Sequence, residues 1–340
     1  MTTHRLKITR AQVLAYRQTV GSLAERLPPG ADSLRRAAWA GLQDSMPRAA
    51  LLSIHARVES TGPSTWEDPS LVQLWGPRFS AFVVPGRDRG VFTLGRLPDD
   101  GDRRRFAEEM AGRVESLLAG RRMTYGEAGH ALGVRPNSLR YAAPTGRVLM
   151  RWDGARQPTI WTVPPPEIEP TEARLELARR YLHVFGPTTA EAFGVWAGIK
   201  PVRARAAFDA LAATLTPVRS PSGDAWVLVS DEPTLAAAPP RPAAARLLPS
   251  GDAYTLLQGA DRALLVPDLD RRSTLWTPRV WPGSLLVGGE LAGTWQRSDA
   301  SVTLRPWRRF SAAERAAVEL EAESLPLPGA MGRIAVAWQG

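Results

Sequence analysis

The stretch MTYGEAGHALGVRPNSLRYAAPTGRVLMRWDGARQPTIWTV, residues 123–163, decides the predicted fold. Thr124 stands three residues before Glu127, which is the spacing of a helical capping box. A further helix is predicted over 136–141, because a proline suits the first helical turn. Two strand-like runs then flank a polar turn, at 148–152 and 159–163. With the charged helix predicted at 102–119, the order is helix, short helix, helix and hairpin, which is typical of a winged helix.

The neighbouring segments repeat parts of this order. Behind it, the pattern predicts helices at 171–185, within 186–199 and at 200–213, followed by a hairpin at 218–220 and 225–230. Ahead of it, the pattern predicts helices at 8–20, 31–43, 47–59 and 69–75 and a strand at 80–84. The chain is therefore predicted to hold tandem winged-helix, or helix-turn-helix, units.

The last part of the chain differs in composition. Alternating apolar and turn residues follow a stretch rich in Pro and Ala, and a helix is predicted at 311–325. The predicted fold class is α+β, with a β-rich C-terminal part. The predicted domains are a first winged-helix block at 1–100, a second at 101–166, a third at 167–234, a linker at 235–245 and a β-rich block at 246–340.

Charge and composition restrict the function. The formal net charge of the 340-residue chain is +9, and all but two of its 43 cationic side chains are arginine, whose fork matches phosphate geometry. A high-GC genome is the competing explanation for this arginine content. There is no cysteine, and none of the four histidines pairs with another at metal-ligand spacing. Nucleotide-binding glycine motifs are absent. We therefore predict no cofactor and no metal.

The sequence also lacks signals for a membrane or export. No apolar run approaches the roughly 20 residues of a membrane helix, and the polar start MTTHRLKITR does not resemble a signal peptide. We therefore expect no membrane partner and a cytoplasmic protein, nucleoid-associated when bound to DNA. No heptad pattern indicates a dimer helix, so the prediction is a monomer.

The segment RYLHVFGPTTAEAFGVWAG (180–198) is the most specific of several stretches that together resemble the AlkZ- and YcaQ-like family of winged-helix DNA-binding proteins, some of which are DNA glycosylases. The resemblance covers roughly residues 8 to 325 and is carried by GLQDSMPRAALLSIHARV (41–58), LVQLWGPR (71–78), RRYLHVFGPTTAEAFGVWAGI (179–199), RLLPSGDAYTLLQGADR (246–262) and VGGELAGTW (287–295). It implies three tandem winged helices in a C-shaped arrangement with a basic concave face.

The resemblance also implies an activity and a site. Family enzymes cut the N-glycosidic bond of N7-alkylated purines and carry a Gln-x-Gln or Gln-x-Asp motif, which falls here on Gln43-Asp44-Ser45. Such a base is a cationic leaving group, so the enzyme must aim a water and stabilise an oxocarbenium-like transition state. Gln43 matches the first motif position. Ser45 replaces the second amide or carboxylate and supplies no charge, and Phe82 stands where a family segment has a histidine.

The catalytic candidates are Gln43, Asp44, Ser45 and His55. Gln43 would position the water or the sugar. Asp44 would face the oxocarbenium if it turned inward, and Ser45 would otherwise hold the water. Each also has a structural interpretation: Gln43 as a helix-end amide, Asp44 and Ser45 as caps of the next helix, and His55 as a buried core histidine.

Arginines dominate the candidate DNA contacts, which would track the backbone of double-stranded DNA without reading its sequence. Arg57 is equally compatible with a solvated helix face. The full set is Arg57, Arg78, Arg135, Asn137, Arg140, Arg147, Arg151, Arg156, Arg203 and Arg205.

The leading functional hypothesis is a DNA glycosylase for an alkylated or bulky modified base. The second hypothesis is a non-catalytic DNA-binding protein on the same scaffold, which the change at Ser45 favours. The third is a protein-interaction scaffold. A salt-dependent affinity for DNA would separate the third from the first two.

Overall fold

The computed structural model describes residues 5–99, 101–154, 156–237, 245–298, 300–327 and 334–339. These residues form a mixed α+β structure, as predicted. Among these residues, three sheets have three strands each and one has five. The C-shaped outline stays a prediction.

The first block contains four short strands and four helices. Their bounds are β1 Leu6–Lys7, α1 Arg10–Val20, α2 Ala31–Ala37, β2 Leu42–Gln43, α3 Ala49–His55, β3 Leu71–Trp75, β4 Ala81–Pro85 and α4 Arg89–Thr93.

Two helix predictions in this block are wrong. The helix predicted at 31–43 ends at Ala37, and the chain turns at Gly41 (φ +79°) into β2, which pairs with β4. A Cβ at Gly41 would approach the rings of Phe82 and Phe92 to 3.0 Å, so this close turn requires glycine. The segment predicted as a helix at 69–75 contains the strand β3, because its apolar and β-branched residues pair with β4 along five positions.

The second and third blocks follow the predicted order closely. The second contains α5 Gly101–Leu118, β5 Met123–Thr124, α6 Tyr125–Ala131, a 3₁₀ helix Pro136–Thr145, β6 Val148–Arg151 and β7 Thr159–Thr162. The third contains α7 Pro170–Phe185, α8 Ala190–Ala197, α9 Pro201–Ala210, β8 Leu215–Ser220, β9 Gly223–Leu228 and α10 Glu232–Ala236. The Thr124–Glu127 capping box is confirmed.

The last part of the chain is β-rich, as predicted. It contains β10 Arg246–Leu248, α11 Ala260–Leu265, α12 Leu269–Leu275, β11 Gly283–Val287, β12 Glu290–Ser298, β13 Ser301–Pro306, α13 Ala312–Glu323 and β14 Ala335–Trp338. The predicted linker at 235–245 begins inside α10, and its residues 238–244 lie outside the described residues.

Long-range packing ties the blocks together. The strand orders of the four sheets are β2-β4-β3, β5-β7-β6, β1-β8-β9 and β10-β11-β12-β13-β14. Strand β1 pairs in parallel with β8, so Leu6 and Lys7 complete the sheet of the third block. The largest apolar core joins Phe82 and Phe92 of the first block, Tyr181 and Phe193 of the third and Leu256 of the C-terminal part. The domain boundaries stay a proposal. This core holds the segments that carry the candidate site against one another.

Candidate active site

The strand β2 sets the direction of the motif side chains. Its pairing with β4 continues one residue further, because the Asp44 N–H donates to the carbonyl of Ala81 at 2.8 Å. Side chains alternate along extended backbone, so Gln43 and Ser45 share one face while Asp44 points to the other. The Gln43 Nε2 donates to the Ser45 Oγ at 3.1 Å. Gln43 is half-buried and Ser45 is exposed.

Asp44 points into the protein interior, where it is 1% exposed. Its carboxylate accepts hydrogen bonds from the Ala50 N–H at 2.9 Å and from the Gln73 Nε2 at 2.6 Å. The first bond satisfies a backbone N–H in the first turn of α3, as the side chain of a helix cap does. Burial raises the pKa of Asp44 to about 6, although the Ala50 N–H and the Arg48 charge oppose the shift. The geometry favours the capping interpretation of Asp44 over the inward-turned catalytic one.

Asp44→Asn is expected to change how stability depends on pH. The folded-state pKa of Asp44, about 6, lies above the ordinary value of 3.8. The Asp44 contribution to stability is therefore fully present below pH 3.8 and is lost as pH rises through 6. Between pH 5 and 7.5 the wild type should lose about 1 kcal/mol more unfolding free energy than the variant. Urea unfolding at both pH values measures this difference, and parallel pH profiles would contradict it.

The loop after β3 brings Arg78 to Gln43. The Arg78 Nη2 donates to the Gln43 Oε1 at 3.4 Å, which is a long hydrogen bond. Arg78 and Phe79 have φ values of +54° and +59°, which non-glycine residues rarely adopt. Such backbone strain is concentrated at functional sites. The strained turn therefore marks this loop as part of the candidate site.

A segment of the C-terminal part closes the other side of Gln43. Gly251 has φ +72°, and a Cβ there would lie 3.4 Å from the Gln43 Nε2. Arg78 also lines a cleft of about 360 Å³ between the third block and residues 256–261. Met46 and Pro47, which follow Ser45, line a second cleft of about 390 Å³ against residues 280–283. Both volumes fall within the range of about 300–1,000 Å³ that is typical of ligand pockets.

Arg96 adds a second buried cation beside Arg78. Its guanidinium donates to the carbonyls of Ala197 at 3.0 Å and Trp75 at 3.2 Å. Burial and, less strongly, the charge of Arg78 together lower the pKa of Arg96 to about 9. Two neighbouring guanidiniums make this side of Gln43 electropositive, which suits a phosphate.

His55 is placed in the protein interior. Its Nδ1 lies 2.7 Å from the Thr61 Oγ1 and its Nε2 lies 3.1 Å from the Ser324 Oγ. Burial lowers the pKa of His55 to about 3, and the charges of Arg26 and Arg246 act in the same direction. A neutral histidine with both ring nitrogens engaged fits the core interpretation, and the geometry does not favour the catalytic one.

Arg57 is also buried, with its guanidinium on Asp252. Its two terminal nitrogens donate to the two carboxylate oxygens at 2.7 and 2.8 Å. Burial alone would raise the pKa of Asp252, but the charge and hydrogen bonds of Arg57 lower it. The structure therefore corrects both expectations for Arg57, the phosphate contact and the solvated face. The pair ties α3 to the C-terminal segment beside Gly251.

The remaining DNA-contact candidates fall into two groups. One group already holds carboxylates: Arg147 binds Glu108 and Glu115, Arg151 binds Glu67, Arg203 binds Asp99 and Arg205 contacts Glu191. A guanidinium held by a carboxylate offers less attraction to phosphate, although Arg205 is largely exposed. The other group lies on the 3₁₀ helix of the second block, just before it, or between β6 and β7, and consists of Arg135, Asn137, Arg140 and Arg156.

Gln73 is a site residue that sequence reasoning missed. Its Nε2 donates to Asp44, and its Oε1 accepts a hydrogen bond from the backbone N–H of Trp152 at 2.5 Å, so Gln73 joins the first block to the end of β6 in the second. The signal was the single polar residue of the apolar run LVQLW, because the alternation of side chains along a strand places Gln73 on the face of β3 opposite Val72. The helix predicted for this segment hid that alternation.

Over the described ranges, no group of three or more His, Asp or Glu side chains could hold a metal ion. In the same part of the chain, no helix is both long and apolar enough to cross a membrane.

Comparison with known proteins decides the family. A family model described as DNA glycosylase AlkZ-like matches residues 36–326. The chain belongs to this AlkZ-like DNA glycosylase family. The protein is thus a DNA glycosylase, a hydrolase of N-glycosidic bonds that acts on DNA in repair.

A solved structure agrees with the fold of this glycosylase. The DNA glycosylase AlkZ of Streptomyces sahachiroi superposes with a TM-score of 0.79 and 21% sequence identity, covering 98% of this chain and 100% of that chain. At this identity the likeness establishes the fold alone. Among curated protein sequences, none matches the chain significantly.

Proposed function

We propose that this glycosylase hydrolyses the N-glycosidic bond of a cationic, N7-alkylated or bulky modified guanine in double-stranded DNA. The observation that carries the proposal is the neutral pair Gln43 and Ser45 on the exposed face of the motif, with Asp44 turned to the interior. A base that already carries a positive charge leaves without protonation by an acid. On this face, an amide and a hydroxyl group then aim the attacking water.

The hydrogen bonds of Gln43 assign its role in this proposal. The Gln43 Nε2 donates to the Ser45 Oγ, which leaves the Ser45 hydroxyl hydrogen and one lone pair for a water. Arg78 holds the Gln43 Oε1 and carries the positive charge that a DNA phosphate needs. In the proposed complex, Arg78 binds a phosphate next to the target nucleotide, while Gln43 and Ser45 hold the water that attacks C1′. The bond from C1′ to the base breaks, the cationic base leaves as a neutral purine, and the proton of the water passes to solvent.

The second block supplies the proposed contacts to the backbone of the duplex. Arg135 and Asn137 are exposed at the start of the 3₁₀ helix, and Arg156 is exposed at the wing tip. The Asn137 Oδ1 accepts a hydrogen bond from the Tyr125 hydroxyl at 2.9 Å, so the NH₂ group of the amide remains available to donate to a phosphate or a sugar. We further propose that the enzyme acts as a monomer, in the cytoplasm and on the nucleoid.

Arg135→Ala is expected to weaken DNA binding in a way that depends on salt. Removing one phosphate contact should lower the slope of log affinity against log salt by about 1. Fluorescence anisotropy with one duplex at several salt concentrations measures that slope. Arg308→Ala, which removes an exposed arginine paired with Glu314, serves as the control and should leave the slope unchanged. An unchanged slope for Arg135→Ala would remove it from the interface.

Base release from defined duplexes tests the lesion class. The substrates are otherwise identical duplexes with N7-methylguanine, a bulky N7 adduct, a neutral lesion such as uracil, or no lesion, and release is read as alkali-sensitive strand cleavage. Release from the two cationic lesions supports the proposal, and release from uracil alone overturns it. Tight, salt-dependent binding with no release from any substrate would favour the non-catalytic DNA-binding hypothesis.

The biological setting that we propose for this activity is alkylation repair. Self-resistance to a DNA-damaging metabolite and defence against phage DNA with modified bases are the alternative settings.

A further inference from the structure

Three aromatic side chains form a connected cluster beside the strained loop. Phe79 and Tyr141 meet edge to face with ring centroids 5.2 Å apart, and Tyr141 lies 5.8 Å from Phe106. They come from three elements: the loop after β3, the 3₁₀ helix of the second block and α5. We call Phe79, Tyr141 and Phe106 the aromatic cluster.

The outer part of the aromatic cluster is open to solvent. Phe106 is 46% exposed and Tyr141 is 38% exposed, whereas aromatic core residues such as Phe82 and Phe193 are fully buried. Exposing large apolar rings side by side is unfavourable in water, so such a patch marks an interaction site. The cluster therefore presents an unpartnered aromatic surface.

Arginine charge surrounds the same rings. The Arg140 guanidinium carbon lies 5.7 Å from the centroid of Phe79 and 5.6 Å from that of Tyr141. The Arg140 Nε is buried and has no hydrogen-bond partner among the described residues. Arg96 lies 5.0 Å from the Phe79 centroid on the inner side. Aromatic rings combined with arginines are the surface that unstacked nucleotides require: a face for the base and a cation for the phosphate.

The cluster also connects with the candidate active site. Phe79 directly follows Arg78, whose guanidinium contacts Gln43. From Gln43 outward, the order is therefore Arg78, Phe79, Tyr141 and Phe106. A nucleotide flanking the target would meet the aromatic rings when the target reaches Gln43.

We propose that Tyr141 and Phe106 stack on a nucleobase that loses its neighbour when the target nucleotide is extruded, and that Arg140 holds the phosphate beside it. The partner of this surface is thus a base of the DNA substrate. Extrusion costs the stacking energy of the flipped base, and a protein ring in its place recovers part of it. The inference rests on the glycosylase activity and on extrusion of the target nucleotide, but not on the proposed lesion class.

The test uses a duplex with one tetrahydrofuran residue as an abasic analogue and 2-aminopurine beside it, compared with the intact duplex. Wild-type protein should bind the abasic duplex more tightly and quench 2-aminopurine. Phe106→Ala and Tyr141→Ala should each lower the affinity for the abasic duplex by about tenfold and reduce the quenching, with little change on intact duplex. Tyr141→Phe keeps the ring and should behave as wild type.

Leu320→Ala is the matched control, because Leu320 is 70% exposed on α13, away from the aromatic cluster. Melting temperatures confirm folding, and Phe106→Ala alone suffices if Tyr141→Ala is unstable. Equal affinity of wild type and Phe106→Ala for the abasic duplex, or equal losses on both duplexes, would overturn the proposal. The abasic duplex contains no cleavable base at the target position. A failure of base release in the lesion assay would therefore count against the proposed function and not against the stacking proposal.

Discussion

Replacing Gln43 by alanine is expected to lower the rate of base release by about a hundredfold to a thousandfold, the loss typical of a preorganised donor that acts on the transition state. Gln43 is the one motif side chain that contacts both Ser45 and Arg78. Without it the attacking water loses its orientation and Arg78 loses its neighbour. DNA affinity should change far less than the rate, because the phosphate contacts lie on other residues. Single-turnover release from an N7-methylguanine duplex measures the rate.

Gln339→Ala provides the control for this substitution. Gln339 is an exposed glutamine that accepts a hydrogen bond from Arg305 in the C-terminal part, so its loss should leave the rate unchanged. A Gln43→Ala protein that melts like the wild type and still releases the base at the wild-type rate would refute the assignment of Gln43.

Removing Arg57 is expected to give the largest loss of stability among the candidate residues. Arg57→Ala leaves the Asp252 carboxylate without its countercharge although both side chains are buried, at 4% and 0% exposure. Breaking such a pair costs about 3–5 kcal/mol of unfolding free energy. The loss would also free the segment beside Gly251 from α3. Urea unfolding at neutral pH measures it.

Two comparisons make this prediction specific. Arg219→Ala breaks the exposed pair with Asp224 and should cost less than about 1 kcal/mol. The double variant Arg57→Met with Asp252→Leu should be more stable than Arg57→Ala, because apolar side chains of similar volume carry no unpaired charge. If Arg57→Ala unfolds with the same free energy as wild type, the buried pair does not hold this segment.

Local signals predicted much of the fold. The Thr124–Glu127 capping box depends only on neighbouring residues, and the structure has it. The helix prediction at 31–43 failed around Gln43 because distant residues decide the conformation there. Residues 38–43 have helical spacing, but their conformation is decided by β4, about forty residues later, and by the rings that pack on Gly41.

The candidate site shows the same division. Gln43 and Ser45 were identified from the motif, and the structure places them together. The partners that define the environment of the motif are distant in the chain: Arg78 and Gly251 lie beside Gln43, and Gln73 holds Asp44. The sequence around Arg57 is compatible with a phosphate contact. The structure instead pairs Arg57 with Asp252, which is almost two hundred residues away in the chain. Charge partners of this kind are set by tertiary packing and leave no local pattern.

The central claim is that the motif acts through Gln43 and Ser45 while Asp44 has a structural role. The most direct test is single-turnover base release by Asp44→Asn beside Ser45→Ala, on the N7-methylguanine duplex and at one pH. Asp44→Asn should retain a release rate close to that of wild type, and Ser45→Ala should lose most of its rate at unchanged melting temperature. A folded Asp44→Asn protein with no release, beside an active Ser45→Ala protein, would contradict the claim and make Asp44 the catalytic carboxylate.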